Sequence, residues 1–454
     1  MKVRENISSK LTEITGSSNL LGIVSGTGAF EIDGLSPNWV VFPQTREEVR
    51  EVVGLCQAES VSIIPRGNGT KMGMGNIPRR ADLVVSTRHL NRVVDQDCEN
   101  LTITLESGAL LSDTQERLRS EGIGYFIPLD PPFTEASTIG GVLATNSSGP
   151  KRLVYGTARD LVLGMKVVLA EGGLISCGGK TVKNVSGYDM AKLFIGSFGT
   201  LGIIIETTLR LLPLPEREQT FMAAFSKSES AFEVVTEILK SQLIPSSIEI
   251  LNPRLVQEVD GKPLSIGSDY VLVIGVEGVK EAVQRQIMEI HEIASRSLPR
   301  KTELLEGPEQ SKFWESVRDS GLSLRTRFPE SILLKVNVPL SKTPLAFAAL
   351  EAIAAQERFS CALWGHAGTG ILRVALPFSE IGTESGRIIR GIHQMAGKAV
   401  EMGGNLVIEA APVPIKRQVN VWGQEGSDLP IFRQLKSQLD PSSLFNPGRF
   451  VGGI

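Results

Sequence analysis

Residues 130–150 read DPPFTEASTIGGVLATNSSGP, a stretch of hydroxyls, one amide and glycines with little charge. Asp130, Pro131, Thr138, Gly140, Gly141, Asn146, Ser148 and Gly149 stand out in it. They are groups that hydrogen-bond to a polar neutral or anionic ligand, or let the backbone approach one. An ordinary loop is the bland alternative. A long run without helix or strand periodicity argues against an idle linker, because structureless loops of that length in compact domains tend to be functional.

Upstream lies Pro65-Arg66-Gly67-Asn68-Gly69-Thr70, continuing to Gly73 and Gly75, directly after a short strand-like run. Its glycines permit sharp turns with positive φ and bring N–H groups close to an anion, so a pyrophosphate is the natural guest. Arg66 adds positive charge. The spacing matches neither Gly-x-x-x-x-Gly-Lys-Ser/Thr nor Gly-x-Gly-x-x-Gly, and alone the motif reads equally well as a surface turn. Downstream come Tyr155-Gly156-Thr157-Ala158-Arg159-Asp160, then Lys183-Asn184-Val185-Ser186-Gly187-Tyr188-Asp189, then Gly196-Ser197-Phe198-Gly199-Thr200-Leu201-Gly202 followed by Ile203. Each has a packing explanation by itself. In this order over one stretch, they are hard to explain as packing.

Around these motifs the apolar spacing predicts a helix over 46–56 and strands over 61–65, 101–105, 161–170 and 202–212. Two prolines in Leu212-Pro213-Leu214-Pro215 interrupt the pattern and mark a boundary. Beyond it the pattern predicts strands over 221–225, 247–251, 270–276 and 331–338, a hairpin of 361–365 with 371–376, and a strand over 406–410. Helices are predicted over 230–240, 279–295, 344–356 and 386–402. Helices set between strand pairs imply an antiparallel sheet covered on one face, an α+β arrangement. The expected division is an N-terminal extension (1–35), a glycine-rich cofactor domain (36–215), a second domain (216–435) and a C-terminal segment (436–454).

The 454 residues are 41% hydrophobic and 21% charged, with a net charge of -3, the profile of a soluble globular protein. No basic surplus asks for a nucleic-acid partner. The N-terminus has early charge without an apolar stretch behind it, and no run approaches the roughly 18 apolar residues of a membrane span. The expectation is a cytoplasmic protein without direct membrane insertion, attached to a membrane, if at all, through a partner. Cys56, Cys98, Cys177 and Cys361 are scattered, so a disulfide framework, a zinc knuckle or an iron–sulfur cluster held by this chain alone is not expected.

The ordered motifs, with Asn446-Pro447-Gly448-Arg449 near the C-terminus, resemble the FAD-binding domain of the vanillyl-alcohol oxidase and p-cresol methylhydroxylase (PCMH) family. They are closest to its D-lactate dehydrogenase and glycolate oxidase group. The likeness spans nearly the whole chain and is strongest over 130–213, and the 183–189 string is particularly similar to the glycolate oxidase E subunit. The resemblance implies an α+β fold in which two PCMH-type subdomains hold FAD, beside a cap domain whose antiparallel sheet is covered by helices. It places Pro65, Arg66, Gly67, Asn68, Gly69 and Thr70 around the pyrophosphate. Thr138, Gly140, Gly141, Asn146, Ser148 and Gly149 line the diphosphate and flavin region, and Gly199, Leu201, Gly202 and Ile203 the adenosine side. Asn446 and Arg449 close over the flavin, while Asp130, Pro131, Tyr155, Arg159 and Asp160 complete the cofactor set. Some relatives attach FAD through a histidine in the first loop. Thr70 stands there, so non-covalent FAD is implied.

The departures concern the second domain. Related 2-hydroxyacid dehydrogenases carry a Gly-His-x-Gly-x-Gly-Asn-x-His metal motif and a later Glu-His pair. This chain has Gly365-His366-Ala367-Gly368-Thr369-Gly370-Ile371-Leu372-Arg373, then Glu409-Ala410. Two scattered ligands hold a divalent ion poorly and a guanidinium repels it, so no metal is expected. Three readings stay open for His366: a packed remnant, a base recruited without metal, or a ligand of a site whose other members are not legible. Arg325, Arg327, Lys335 and Arg373 are candidates for a substrate carboxylate, since guanidinium pairs with carboxylate bidentately; solvated surface charge is the alternative for each. Two functions follow. One is an FAD-dependent 2-hydroxyacid (glycolate or D-lactate) dehydrogenase. The other is a non-catalytic flavin subunit beside a related catalytic chain. With no cluster ligands of its own, either passes electrons to another molecule, and the resemblance implies a related flavin subunit and an iron–sulfur subunit as partners.

Overall fold

A computed structural model describes residues 2–22, 27–120, 122, 124–179, 187–259 and 269–454, and the Lys183–Ser186 part of the 183–189 string lies outside them. The chain forms two compact units. The first comprises Met1–Ser148, Thr157–Pro213 and Glu425–Ile454, and the second Gly149–Gly156 and Leu214–Gln424. The chain therefore leaves the first unit at the prolines near 213–215 and returns to it at Glu425.

The first unit holds two principal sheets. Strands β1 (Leu20–Gly22), β2 (Trp39–Val41), β3 (Ile63–Arg66) and β4 (Leu83–Ser86) lie in the order β1-β2-β4-β3. β2 and β3 run parallel to β4, while β1 is antiparallel to β2. Trp39–Val41 and Leu83–Ser86 are wholly buried, which parallel strands covered on both faces require. The helix Arg46–Ala58 covers this sheet with Val49, Val52, Val53 and Cys56. It begins where the Thr45 side chain accepts from the Glu48 amide, with Glu47 and Glu48 favourable at the positive end of the helix dipole. Parts of the expected N-terminal extension are built into this layer: Ile7 and Leu11 enter its core and β1 extends its sheet.

The second sheet of this unit is antiparallel, with β5 (Val93–Asp97), β6 (Thr102–Glu106), β8 (Val162–Val168), β9 (Leu174–Gly178) and β10 (Ile203–Arg210) in the order β5-β6-β10-β8-β9. β7 (Tyr125–Phe126) pairs separately with β11 (Leu212–Pro213). The helix Ile139–Thr145 packs its Ile139, Val142 and Leu143 into the core of this layer. The C-terminal helix Leu429–Leu439 leads to a tail in which Phe445 bridges Ile63 in parallel, so the end of the chain lies against β3.

The second unit is one antiparallel sheet of eight strands: β12 (Arg217–Phe225), β13 (Ser247–Leu251), β14 (Tyr270–Gly278), β15 (Lys301–Leu305), β16 (Ile332–Asn337), β17 (Ala362–His366), β18 (Ile371–Leu376) and β19 (Asn405–Ala410), in the order β15-β12-β14-β13-β17-β18-β16-β19. Helices Ser228–Lys240, Lys280–Arg296, Thr343–Gln356 and Ser385–Glu401 bury one face. The expectation of cover on one face needs correction. Leu255, Phe313, Val317 and Leu324, from helices Pro253–Val256, Gly307–Arg318 and Ser320–Arg327, bury Met222, Val273, Ala362, Trp364 and Ala375 on the other face. The two helices of 307–327 were missed because glycines, serines and arginines interrupt their apolar stripe, and packing on the sheet overrides weak propensity.

Candidate functional site

A pocket in the first unit is walled by the loop after β3, the start of the Ile139–Thr145 helix, the 198–204 segment and the C-terminal tail. It gathers Pro65, Arg66, Gly67, Asn68, Gly69, Thr70, Thr138, Gly140, Gly141, Gly199, Gly202, Ile203, Asn446 and Arg449 from the sequence-derived set. Lys71, Met72, Thr87, Ala144, Thr145, Phe198 and Ile204 also line it and were not anticipated. Lys71 was the most legible of these, as a cation next to Thr70. Its ammonium lies 3.4 Å from Ser137 Oγ and 5.7 Å from the Phe133 ring centre.

The glycines act mainly by omission. A Cβ on Gly67 would stand 2.0 Å from Thr138 Oγ1, and one on Gly140 2.7 Å from Ser107 Cβ. The loop backbone therefore packs directly against the Thr138 side chain, and the helix start directly against Ser107. Gly69 adopts φ of +81°, which a side chain would strain. The Gly140 amide donates to Ser107 O and the Gly141 amide to Thr138 Oγ1, so neither points freely at a ligand. Arg66 stacks 4.3 Å from the Phe30 ring centre, and its pKa is lowered by burial and by Arg88. The lining carries the cations Arg66, Lys71 and Arg449 and no carboxylate, a charge balance suited to an anionic group such as a diphosphate.

The C-terminal tail forms the fourth wall. Arg449 is 3% exposed and donates from Nη2 to the carbonyls of Met72 and Met74, at 2.6 Å each. Burial pushes its pKa down to about 10. Asn446, at φ of 43°, donates from Nδ2 to Phe198 O at 2.6 Å. These residues thus tie the glycine loop, the 198 segment and the tail into one wall.

The remaining cofactor candidates lie elsewhere. Asp130, Pro131, Asn146, Ser148, Arg159, Asp160 and Leu201 are in the first unit but outside the pocket lining. Asp160 accepts from the Thr157 amide and caps the Ala158–Leu161 helix. Asn146 ends the Ile139–Thr145 helix in the left-handed region. Gly149 and Tyr155 belong to the second unit, where Tyr155 donates to Glu277 and Lys151 pairs with the same carboxylate at 2.6 Å.

The second unit places the other candidates on its sheet. Lys335 on β16 lies directly across from Arg373 on β18. Arg373 is ion-paired with Glu409, the extra residue of a bulge in β19. Burial, with Arg373 and Arg152 opposing Glu409, lowers the Lys335 pKa to about 8. Two strands away from β16, His366 Nδ1 meets the Glu249 carboxylate, and the two residues are 5% and 0% exposed. Arg327 does not join them: it is exposed at a helix end and paired with Glu258 at 3.0 Å. Arg325, on the same helix, is half-buried. Among the described residues, no cluster of three or more His, Cys, Asp or Glu side chains could hold a metal ion. Glu249 was missed because 117 residues separate it from His366.

Residues 37–178 match the family model of the FAD binding domain, and residues 214–450 that of the C-terminal domain of FAD linked oxidases. The chain is 31% identical to glycolate oxidase subunit GlcD of Bacillus subtilis, over 98% of this chain and 97% of that protein. It is 28% identical to the mitochondrial D-lactate dehydrogenase [cytochrome] of Arabidopsis thaliana, over 91% of this chain and 73% of that one. Among solved structures, p-cresol methylhydroxylase superposes with a TM-score of 0.80 at 14% identity, covering 99% of this chain and 97% of that one. The PCMH-type fold and FAD as cofactor are thereby established, and no helix among the described residues is long and apolar enough to cross a membrane. The chain belongs to the family of FAD-linked oxidases, as an FAD-linked oxidoreductase of the glycolate oxidase GlcD and D-lactate dehydrogenase type.

Proposed function

We propose that this protein oxidises a small 2-hydroxyacid of the glycolate or D-lactate kind and passes the electrons to a partner. The observation that carries this reading is the basic strand pair Lys335 and Arg373, set directly opposite each other with Arg152 adding positive charge. A guanidinium in a half-buried setting suits a carboxylate. FAD, when bound, accepts the two electrons leaving the substrate carbon. The 65–72 loop, Thr138 and the Asn446–Arg449 tail hold it non-covalently, since Thr70 offers no group for covalent attachment. His366, oriented by Glu249 through Nδ1, takes the hydroxyl proton on Nε2. Four free, scattered cysteines supply no cluster, which supports electron exit through a separate chain, an iron–sulfur subunit beside a related flavin subunit.

A second reading is a flavin subunit that oxidises nothing itself. It is favoured by Arg373 being already engaged by Glu409. The anaerobic visible spectrum of the purified protein separates the two. Loss of the visible band of the oxidised flavin within seconds of adding glycolate or D-lactate establishes the dehydrogenase. A band that bleaches only after a partner is added leaves the subunit reading. The absence of any band after incubation with FAD would overturn both.

A further inference from the structure

At four residues' spacing on a helix, Lys436 and Asp440 would ordinarily be a solvated surface pair of little weight. Here their side chains are 8% and 0% exposed. All three protons of the Lys436 ammonium are used: it donates to Asp440 Oδ2 at 2.6 Å, to Thr200 O at 2.7 Å and to Phe445 O at 3.0 Å. Asp440 in turn accepts from the Leu444 amide on Oδ1 and the Phe445 amide on Oδ2, each at 2.8 Å. One ammonium thus joins the 198–202 segment to the tail that begins at Phe445.

These are two walls of the FAD pocket. Phe198, Gly199 and Gly202 flank Thr200, and Asn446 follows Phe445. Two of these residues need outside support. Phe198 and Asn446 sit in the left-handed region at φ of 55° and 43°, strained conformations that persist only where surroundings impose them. Burying a charge pair is itself costly, and an apolar pair of similar volume holds helices together as well or better. An apolar pair cannot bond the carbonyls of Thr200 and Phe445.

We propose that Lys436 and Asp440 are positioning residues for FAD: the buried pair fixes the spacing between the 198–202 wall and the C-terminal wall and so sets the affinity for the cofactor without touching it. The proposal rests on FAD as cofactor and is independent of which substrate is oxidised.

The test uses full-length protein stripped of flavin, with FAD affinity read from quenching of FAD fluorescence and stability from thermal unfolding without FAD. K436M removes the bonds but strands a buried carboxylate. The neutral double variant K436M/D440N removes the stranded charge and keeps an acceptor for the Leu444 amide. The expected result is a double variant that unfolds at a lower temperature, because Thr200 O, Phe445 O and the Phe445 amide lose their partners, and that binds FAD about tenfold more weakly, the loss of roughly one to two hydrogen bonds' worth of positioning. V52A serves as the control, because Val52 is a buried residue of the same unit that neither lines the pocket nor makes any of the bonds between its walls. It is expected to lower the unfolding temperature and leave FAD affinity unchanged. Wild-type FAD affinity in the double variant would overturn the proposal. So would V52A weakening FAD as much as the double variant does.

Discussion

Lys335 carries the most direct consequence at the scale of single residues. Its pKa lies near 8 because burial and two neighbouring arginines outweigh Glu409. The folded value is below the ordinary 10.5. The fold therefore disfavours the charged form, and the contribution of this group to stability rises with pH between about 8 and the ordinary value. Carboxylate binding runs the other way, since the ammonium is lost as pH climbs through about 8. The expected outcome is a KM for the hydroxyacid that rises above pH 8 in the wild type. K335R, which stays charged, should remove that rise. A rate that instead increases through pH 8 would make Lys335 a proton acceptor. None of this environment was legible locally: a lysine within the run ILLKVN is an ordinary outward-facing position until Arg373 and Glu409 are brought beside it.

At the scale of elements, β13 and β17 pair so that Glu249 lies opposite His366. The pair is buried, and breaking one partner of such a pair leaves the other uncompensated, at about 3–5 kcal/mol. H366L should therefore lower the urea midpoint strongly. H366L/E249L should recover most of the loss, because two apolar side chains suit the core around Trp364 and Leu251. Equal destabilisation by the double and the single variant would show that the pair does more than satisfy itself. The elements themselves were legible where periodicity was strong. The hairpin of Ala362–His366 with Ile371–Leu376 and the strand Ser247–Leu251 lie within a residue of the bounds expected from their short apolar runs. The short strands Trp39–Val41 and Leu83–Ser86 escaped notice because three or four buried residues carry no period.

For the whole molecule, two units with separate cores predict two unfolding transitions by calorimetry. A ligand stabilises what it binds by RT ln(1 + [L]/Kd), about 2.7 kcal/mol at a hundredfold excess over Kd. FAD should shift one transition and leave the other where it was. Shifts of equal size in both would mean that the units unfold as one. The sequence by itself determined the family, FAD as cofactor, the glycine loop and the antiparallel character of the sheet in the second unit. Those properties are carried by local runs: turn chemistry at Gly67 and Gly69, alternation along strands, and the order of motifs. Only the tertiary structure decided which chemistry-bearing residues meet. It paired His366 with Glu249, set Lys335 against Arg373 and buried Lys436 with Asp440 between two pocket walls. It also moved Arg327 to an exposed helix end and spent Asp160 on a helix cap. The physical reason is common to all of these. Charge and burial are properties of what packs against a residue, and the partners come from segments far along the chain or from one helix turn that happens to face inward.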